Sequence, residues 1–171
     1  MLSNCEPALP LYTWRHDGVL QLTYEFIVSH LPEGWSVLVD LRDAPHAYRS
    51  LPARWGVDSD QRPDLVLFCE RTRELVLCEL SVPSEVGFAA AQLRKTVRYA
   101  DLRQAYRALN WEVREIVTFE VGARGFFPKD LWAPLFACTP DAPKSARSQL
   151  LEEVSRLAAE RSMAIFEKRD G

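Results

Sequence analysis

Two short apolar runs, Leu65-Val-Leu-Phe-Cys69 and Leu75-Val-Leu-Cys-Glu-Leu80, constrain this chain more than anything else in it. Each is short and continuously apolar, as a buried strand is. The polar link Glu70-Arg-Thr-Arg-Glu74 reads as a hairpin turn between them. Strands apolar on both faces lie in the middle of a sheet, with helices covering each side. One residue breaks the pattern. Glu79 puts a charge inside the second run, and such a charge is costly unless it is paired or bound to a metal.

The remaining elements follow from period and punctuation. Residues 1–13, with Pro7 and Pro10, read as an irregular arm. Asp17 is a candidate N-cap for a helix over 19–31, where Leu20, Tyr24, Ile27 and Leu31 recur at helical spacing and Pro32 and Gly34 follow. Its β-branched content leaves a strand open. Residues 35–41 (WSVLVDL) read as a first strand and 42–61 as a loop. Ser84 is placed to cap a long helix over about 84–109. Residues 111–121 (WEVREIVTFEV) read as a further strand, broken by Gly122 and Gly125. Helices follow near 129–137 and 145–161, and Ile165 and Phe166 suggest a short terminal strand. The 171 residues fit a single α/β domain of layered helices and sheet, with a core over about 14–126 and a helical C-terminal extension over about 128–168.

Composition narrows the class. Apolar residues make up 47% and charged residues 26%, as in an ordinary globular chain. No run is long enough and apolar enough to span a bilayer, so no membrane partner is expected. No basic stretch precedes an apolar block at the start, so no secretory signal is expected. Cys5, Cys69, Cys78 and Cys138 form no C-x-x-C pair, and His16, His30 and His46 have no zinc spacing. Buried, reduced thiols in an intracellular protein are the expectation, with nucleus and cytoplasm not distinguished. Oligomeric state is not legible. The net charge of −3 argues against a strongly basic nucleic-acid binder but permits a locally basic face.

Asp64 opens the first apolar run directly after Pro63. A hairpin centred on the 70–74 link sets Asp64 against Leu80 and Leu65 against Glu79, so the two carboxylates converge at one end of the sheet. Two carboxylates there suit Mg²⁺ or Mn²⁺. The plainer reading has Asp64 capping a turn and Glu79 bonded to an arginine at the rim.

A family likeness favours the first reading. Pro63-Asp64, then Glu79-Leu80-Ser81 fifteen residues beyond the aspartate, resembles the PD-(D/E)XK nuclease signature. Arg62-Pro-Asp-Leu-Val-Leu67, Glu79-Leu-Ser-Val-Pro-Ser-Glu85, Arg94-Lys-Thr-Val-Arg-Tyr-Ala-Asp-Leu102 and Val121-Gly-Ala-Arg-Gly-Phe126 look closer still to the restriction-enzyme-like domains of uncharacterised eukaryotic proteins, many encoded by retroelements. The likeness covers about residues 14–126. It implies a three-layer restriction-endonuclease-like core with a central mixed sheet of about four strands flanked by helices. It further implies a Mg²⁺-dependent endonuclease acting on DNA, with Asp64 and Glu79 on the metal and the Leu80 carbonyl assisting. The carboxylates of such a site also pull the net charge down. A decayed nuclease fold that binds nucleic acid or protein is the alternative, and a fragment of a larger mobile-element protein is a third.

The departures matter as much. The family's lysine two residues beyond the glutamate is Ser81 here, which carries no positive charge. Related members resemble this chain in moving that lysine to the next helix, and Lys95 is the candidate. Phe88, Ala91, Lys95, Tyr99, Leu102 and Tyr106 share one helical face, so Lys95 reaches the carboxylates if that face meets the sheet and otherwise snorkels to solvent. Val86, Ala90, Leu93, Val97 and Ala100 form an opposite apolar stripe, which predicts packing on two sides. Lys95-x-x-x-Tyr99 resembles the Gln-x-x-x-Tyr element of some relatives, where the tyrosine supports the site or meets nucleic acid, although a core role serves Tyr99 equally well. The resemblance offers Glu25 as an acidic residue completing the metal site, against a plain exposed glutamate. Arg94, Arg98 and Arg124 are candidate phosphate contacts, with Arg103 and Arg107 as a second pair, and a solvated helix face is the plainer reading of each. Arg15-His16-Asp17 precedes the first helix with no partner for a nucleophilic triad.

Overall fold

The computed structural model describes residues 9–83, 93, 95 and 97–170. Helix α1 spans Leu9–His30 and leads into strand β1 (Ser36–Val39). A loop carrying one 3₁₀ turn, Ala53–Trp55, precedes the hairpin of β2 (Leu65–Cys69) and β3 (Glu74–Ser81). Helix α2 (Ala100–Ala108), strands β4 (Glu112–Val113) and β5 (Val117–Glu120), and helices α3 (Lys129–Phe136) and α4 (Lys144–Asp170) complete the chain. It is an α/β arrangement with a mixed sheet. β2 pairs antiparallel with β1 and with β3, and β4 and β5 both join β3 in parallel.

The hairpin forms where the two apolar runs require it, and every residue of β2 is buried. Its register is one residue from the expected one. Leu65 faces Cys78, so the pairing continues to set Asp64 opposite Glu79 instead of Leu80. Alternation then assigns the faces. Leu65, Leu67, Val76, Cys78, Leu80, Val117 and Phe119 pack with α1, α3 and α4 through Leu20, Ile27, Trp132, Leu150 and Val154. Val66, Phe68, Leu75, Leu77 and Val113 pack with α2 through Tyr99, Leu102 and Tyr106, and with Trp55 and Trp111. Trp55 anchors this second cluster, edge-on to Phe68 at 4.8 Å and 5.2 Å from Trp111.

Several boundaries differ from expectation, each for a local reason. α1 begins at Leu9 and takes in Pro10, because a first-turn residue needs no amide donor. Asp17 therefore lies inside α1 and is not its N-cap. The strand expected over 111–121 is two, because four steps from Val113 to Val117 span only three along β3, which leaves a one-residue bulge. Ile165 and Phe166 continue α4 and form no strand; buried Leu150, Val154, Ala158 and Ile165 fall on one helical face against the core. The helix expected over 84–109 is interrupted at Tyr99 (φ −101°, ψ 7°), and its Ser84 cap lies outside the described residues. The second apolar stripe is not packed where described: Leu93 and Val97 are 66% and 67% exposed. Arg103 and Arg107 are taken up internally, with Arg103 2.6 Å from Glu115 and Arg107 donating to the Val113 carbonyl at 2.7 Å. No helix among the described residues is long and apolar enough to cross a membrane.

The turn after β5 is the tightest joint. Gly125 has φ +85°, and a Cβ there would lie 2.6 Å from the Ser155 carbonyl oxygen of α4. Gly34 has a similar φ of +83° but would meet only Arg71 at 3.9 Å. Gly125→Ala is expected to destabilise the fold by roughly 1–3 kcal/mol beyond Gly34→Ala. Equal losses in urea denaturation would show that backbone conformation alone matters there.

Candidate active site

The end of the sheet where β2 begins and β3 finishes gathers carboxylates in one row. The β1–β2 register, continued by one residue, sets Asp40 beside Asp64, and the Asp40 amide donates to the Asp64 carbonyl at 2.9 Å. Asp64 stands opposite Glu79, and Glu79 pairs with Thr118 of β5. Alternation puts Asp40, Asp64 and Glu79 on the α2 side of the sheet. Glu120, fully buried, pairs with Ser81 two residues further on.

Asp64 and Glu79 are held by each other's strands. The Leu80 amide donates to Asp64 Oδ2 at 2.7 Å, and the Asp64 amide donates to Glu79 Oε2 at 3.1 Å. A charged acceptor shortens and strengthens such bonds, so the hairpin is closed at this end by two side-chain rungs. Glu79 is 2% exposed. Burial, then the neighbouring Asp64 charge, pushes its carboxyl above the usual range, while Lys95 pulls it back.

Lys95 donates through Nζ to Glu79 Oε1. Tyr99, fully buried at the interruption before α2, donates its hydroxyl to Glu79 Oε2 at 3.0 Å and lies 3.2 Å from the Arg62 carbonyl. Arg98 reaches to 3.8 Å from Glu79 Oε1 and sits over the Tyr99 ring at 5.3 Å. The face bearing Lys95 and Tyr99 thus meets the sheet. Glu79 accepts from a backbone amide, a phenol and an ammonium, which is how a charge inside an apolar strand is sustained.

A second cation comes from α1. His16 Nε2 lies 3.3 Å from Asp64 Oδ2, and its Nδ1 lies 3.1 Å from Asp17 Oδ1. Burial opposes its protonation, but Asp64 and then Asp17 outweigh it and lift its pKa to about 9. His16 is therefore an imidazolium at neutral pH, with a proton on each ring nitrogen facing a carboxylate. The preceding residue fixes the helix: Arg15 donates to the Val82 carbonyl at 2.9 Å and to Ser162 of α4 at 2.8 Å. Beside this lies a cleft of about 870 Å³, bounded by Asp17, Asp40 and the arginines 42, 49 and 62. Arg62 lies 3.4 Å from Asp40, whose carboxyl burial raises against that arginine.

The fold brings together Asp64, Glu79, Lys95, Tyr99 and Arg98. It does not bring Glu25, which is exposed on α1 and bonded to Gln21 at 2.7 Å; nine residues nearer the N-terminus, His16 is the α1 residue that meets the carboxylates. Ser81 is half-buried on the Glu79 side of β3 and supplies no charge. Arg124 is exposed on the turn after β5, and Arg94 lies outside the described residues. His16 and Asp40 were not singled out from sequence. Asp40 carried the same signal as Glu79, a carboxylate in an otherwise apolar strand run. His16 carried none, because the Asp17 cap placed it ahead of the helix.

Among the described residues no three His, Cys, Asp or Glu side chains are grouped to hold a metal ion. The chain offers two carboxylates opposite each other, and no described residue hydrogen-bonds to Asp64 Oδ1. That donor set fits Mg²⁺, which commonly binds one or two carboxylates and otherwise keeps waters or takes phosphate oxygens. A scan of the chain against protein-family models finds no match, and neither does a search of curated proteins.

Two outcomes follow. Tyr99→Phe leaves a buried acceptor one donor short and should cost about 1–3 kcal/mol in urea denaturation; an unchanged midpoint would remove Tyr99 as a support of Glu79. Because folding raises the His16 pKa, its contribution is fully present below its ordinary value of 6.5 and is lost as pH rises through about 9. The stability gap between wild type and His16→Gln should therefore shrink between neutral pH and about pH 10. A gap constant with pH would mean that His16 is not held protonated.

Proposed function

We propose that this protein is a Mg²⁺- or Mn²⁺-dependent endonuclease that hydrolyses DNA phosphodiester bonds at Asp64, Glu79 and Lys95. The observation that carries the proposal is the opposition of Asp64 and Glu79 across one strand pair, with an ammonium at Glu79. The sequence likeness to PD-(D/E)XK nucleases, with a restriction-endonuclease-like core, adds support. So does the mixed sheet flanked by helices, which puts the two carboxylates on one face.

Asp64 and Glu79 would hold the metal, which when bound lowers the pKa of a water and stabilises charge on the phosphate. Lys95 replaces the positive charge that Ser81 lacks, and its Nζ is placed to orient a water or to offset charge on a phosphate oxygen. Tyr99 and the Asp64 amide fix the Glu79 carboxylate. His16 fixes Asp64 through Nε2 and keeps its own proton there.

One observation favours a second reading, a decayed nuclease fold that binds nucleic acid or protein. Lys95 and His16 already neutralise the two carboxylates from within the chain. Mg²⁺ titration separates the two. A metal site raises the melting temperature with Mg²⁺ and loses that rise in Glu79→Gln, whereas a binding module shows no such linkage.

The direct test is cleavage of single-stranded, double-stranded and branched DNA with Mg²⁺ or Mn²⁺. Asp64→Asn, Glu79→Gln and Lys95→Met should each lower the rate by about 100-fold or more. Equal rates in wild type and Asp64→Asn would end the assignment.

A further inference from the structure

We infer that the cleft between α1 and the loop after β1 seats a short stretch of single-stranded nucleic acid, with backbone phosphates on Arg42 and Arg49. The inference rests on the nuclease reading for the class of ligand, and it assigns the phosphate contacts to arginines other than Arg94, Arg98 and Arg124.

Charge accounting carries the first step. Asp17 lies 3.1 Å from the His16 ring and Asp40 lies 3.4 Å from Arg62. Arg42 and Arg49 are exposed on the cleft and, among the described residues, make no hydrogen bond or ion pair. Only Asp43, equally without a partner, opposes them there. Two guanidiniums with no described partner thus face the cavity, and a guanidinium fork suits phosphate oxygens.

Shape and continuity carry the second. The cleft holds about 870 Å³, the size of a small-ligand site, which suits a few nucleotides of one strand and not the width of a duplex. Tyr48, buried in the cluster beneath, forms part of its wall and is held there by its hydroxyl bond to the Pro63 carbonyl. Pro63 and Arg62 directly precede Asp64, and Asp17 touches His16, which touches Asp64. The cleft thus lies beside the end of the sheet that carries Asp64.

Fluorescence anisotropy with a labelled single-stranded deoxyoligonucleotide of about ten nucleotides, in EDTA so that nothing is cut, tests this. Wild type should bind the single strand more tightly than the same sequence as a duplex. The Arg42→Ala/Arg49→Ala double variant should bind at least several-fold more weakly. Its log–log salt dependence should be shallower by about 1.4, roughly 0.7 for each lost phosphate contact. Arg156→Ala, an exposed arginine on α4, should behave as wild type. Equal weakening by Arg156→Ala, tighter duplex binding, or no binding by wild type would each overturn the inference. Cleavage that needs Asp64 but ignores Arg42 and Arg49 would sink the cleft and leave the nuclease. Arginine-dependent binding with no cleavage under any metal would do the reverse.

Discussion

The reciprocal bonds between Asp64 and Glu79 are what the rest of this structure serves. Each carboxylate takes an amide from the other's strand, so the same two bonds close the hairpin and set the acids side by side. A charge 2% exposed inside a sheet survives only if donors surround it. Lys95, Tyr99 and Arg98 come from one side to meet that demand at Glu79, and His16 comes from the other to meet it at Asp64. Removing any of these leaves a buried acceptor short, so stability and site geometry are coupled here.

That coupling explains the placement of the helices. α1 reaches past its expected start and carries Arg15 and His16 to the sheet end, where Arg15 ties it to Val82 and to α4. The interruption at Tyr99 turns that ring under Glu79 before α2 continues over the aromatic cluster. The bulge between β4 and β5 lets both pair with β3, β4 at Glu74–Leu75 and β5 at Cys78–Ser81. The result is a row of carboxylates bordered by Lys95, Arg98, His16 and Arg62, next to a cleft on which Arg42 and Arg49 have no described partner.

Much of this was legible in the sequence because it depends on local pattern. The continuous apolar runs and the polar link determined β2, β3 and their hairpin, since a strand apolar on both faces has one place in an α/β fold. The isolation of Glu79 in its run marked it as needing partners, and three- and four-residue spacing put Lys95 and Tyr99 on one helical face. Other features belonged only to the tertiary structure. A one-residue shift of register moved Asp64 from Leu80 to Glu79, because hairpin pairing is decided by packing on both faces and the turn alone does not specify it. Pro10 looked like a break but sits in a first turn, which hid His16. Asp40 and the cleft beside it come together across strands far apart in the chain. Local sequence chose the strands and the buried charge; which groups neutralise that charge was decided by long-range packing, because only the folded chain sets α1 against the sheet end.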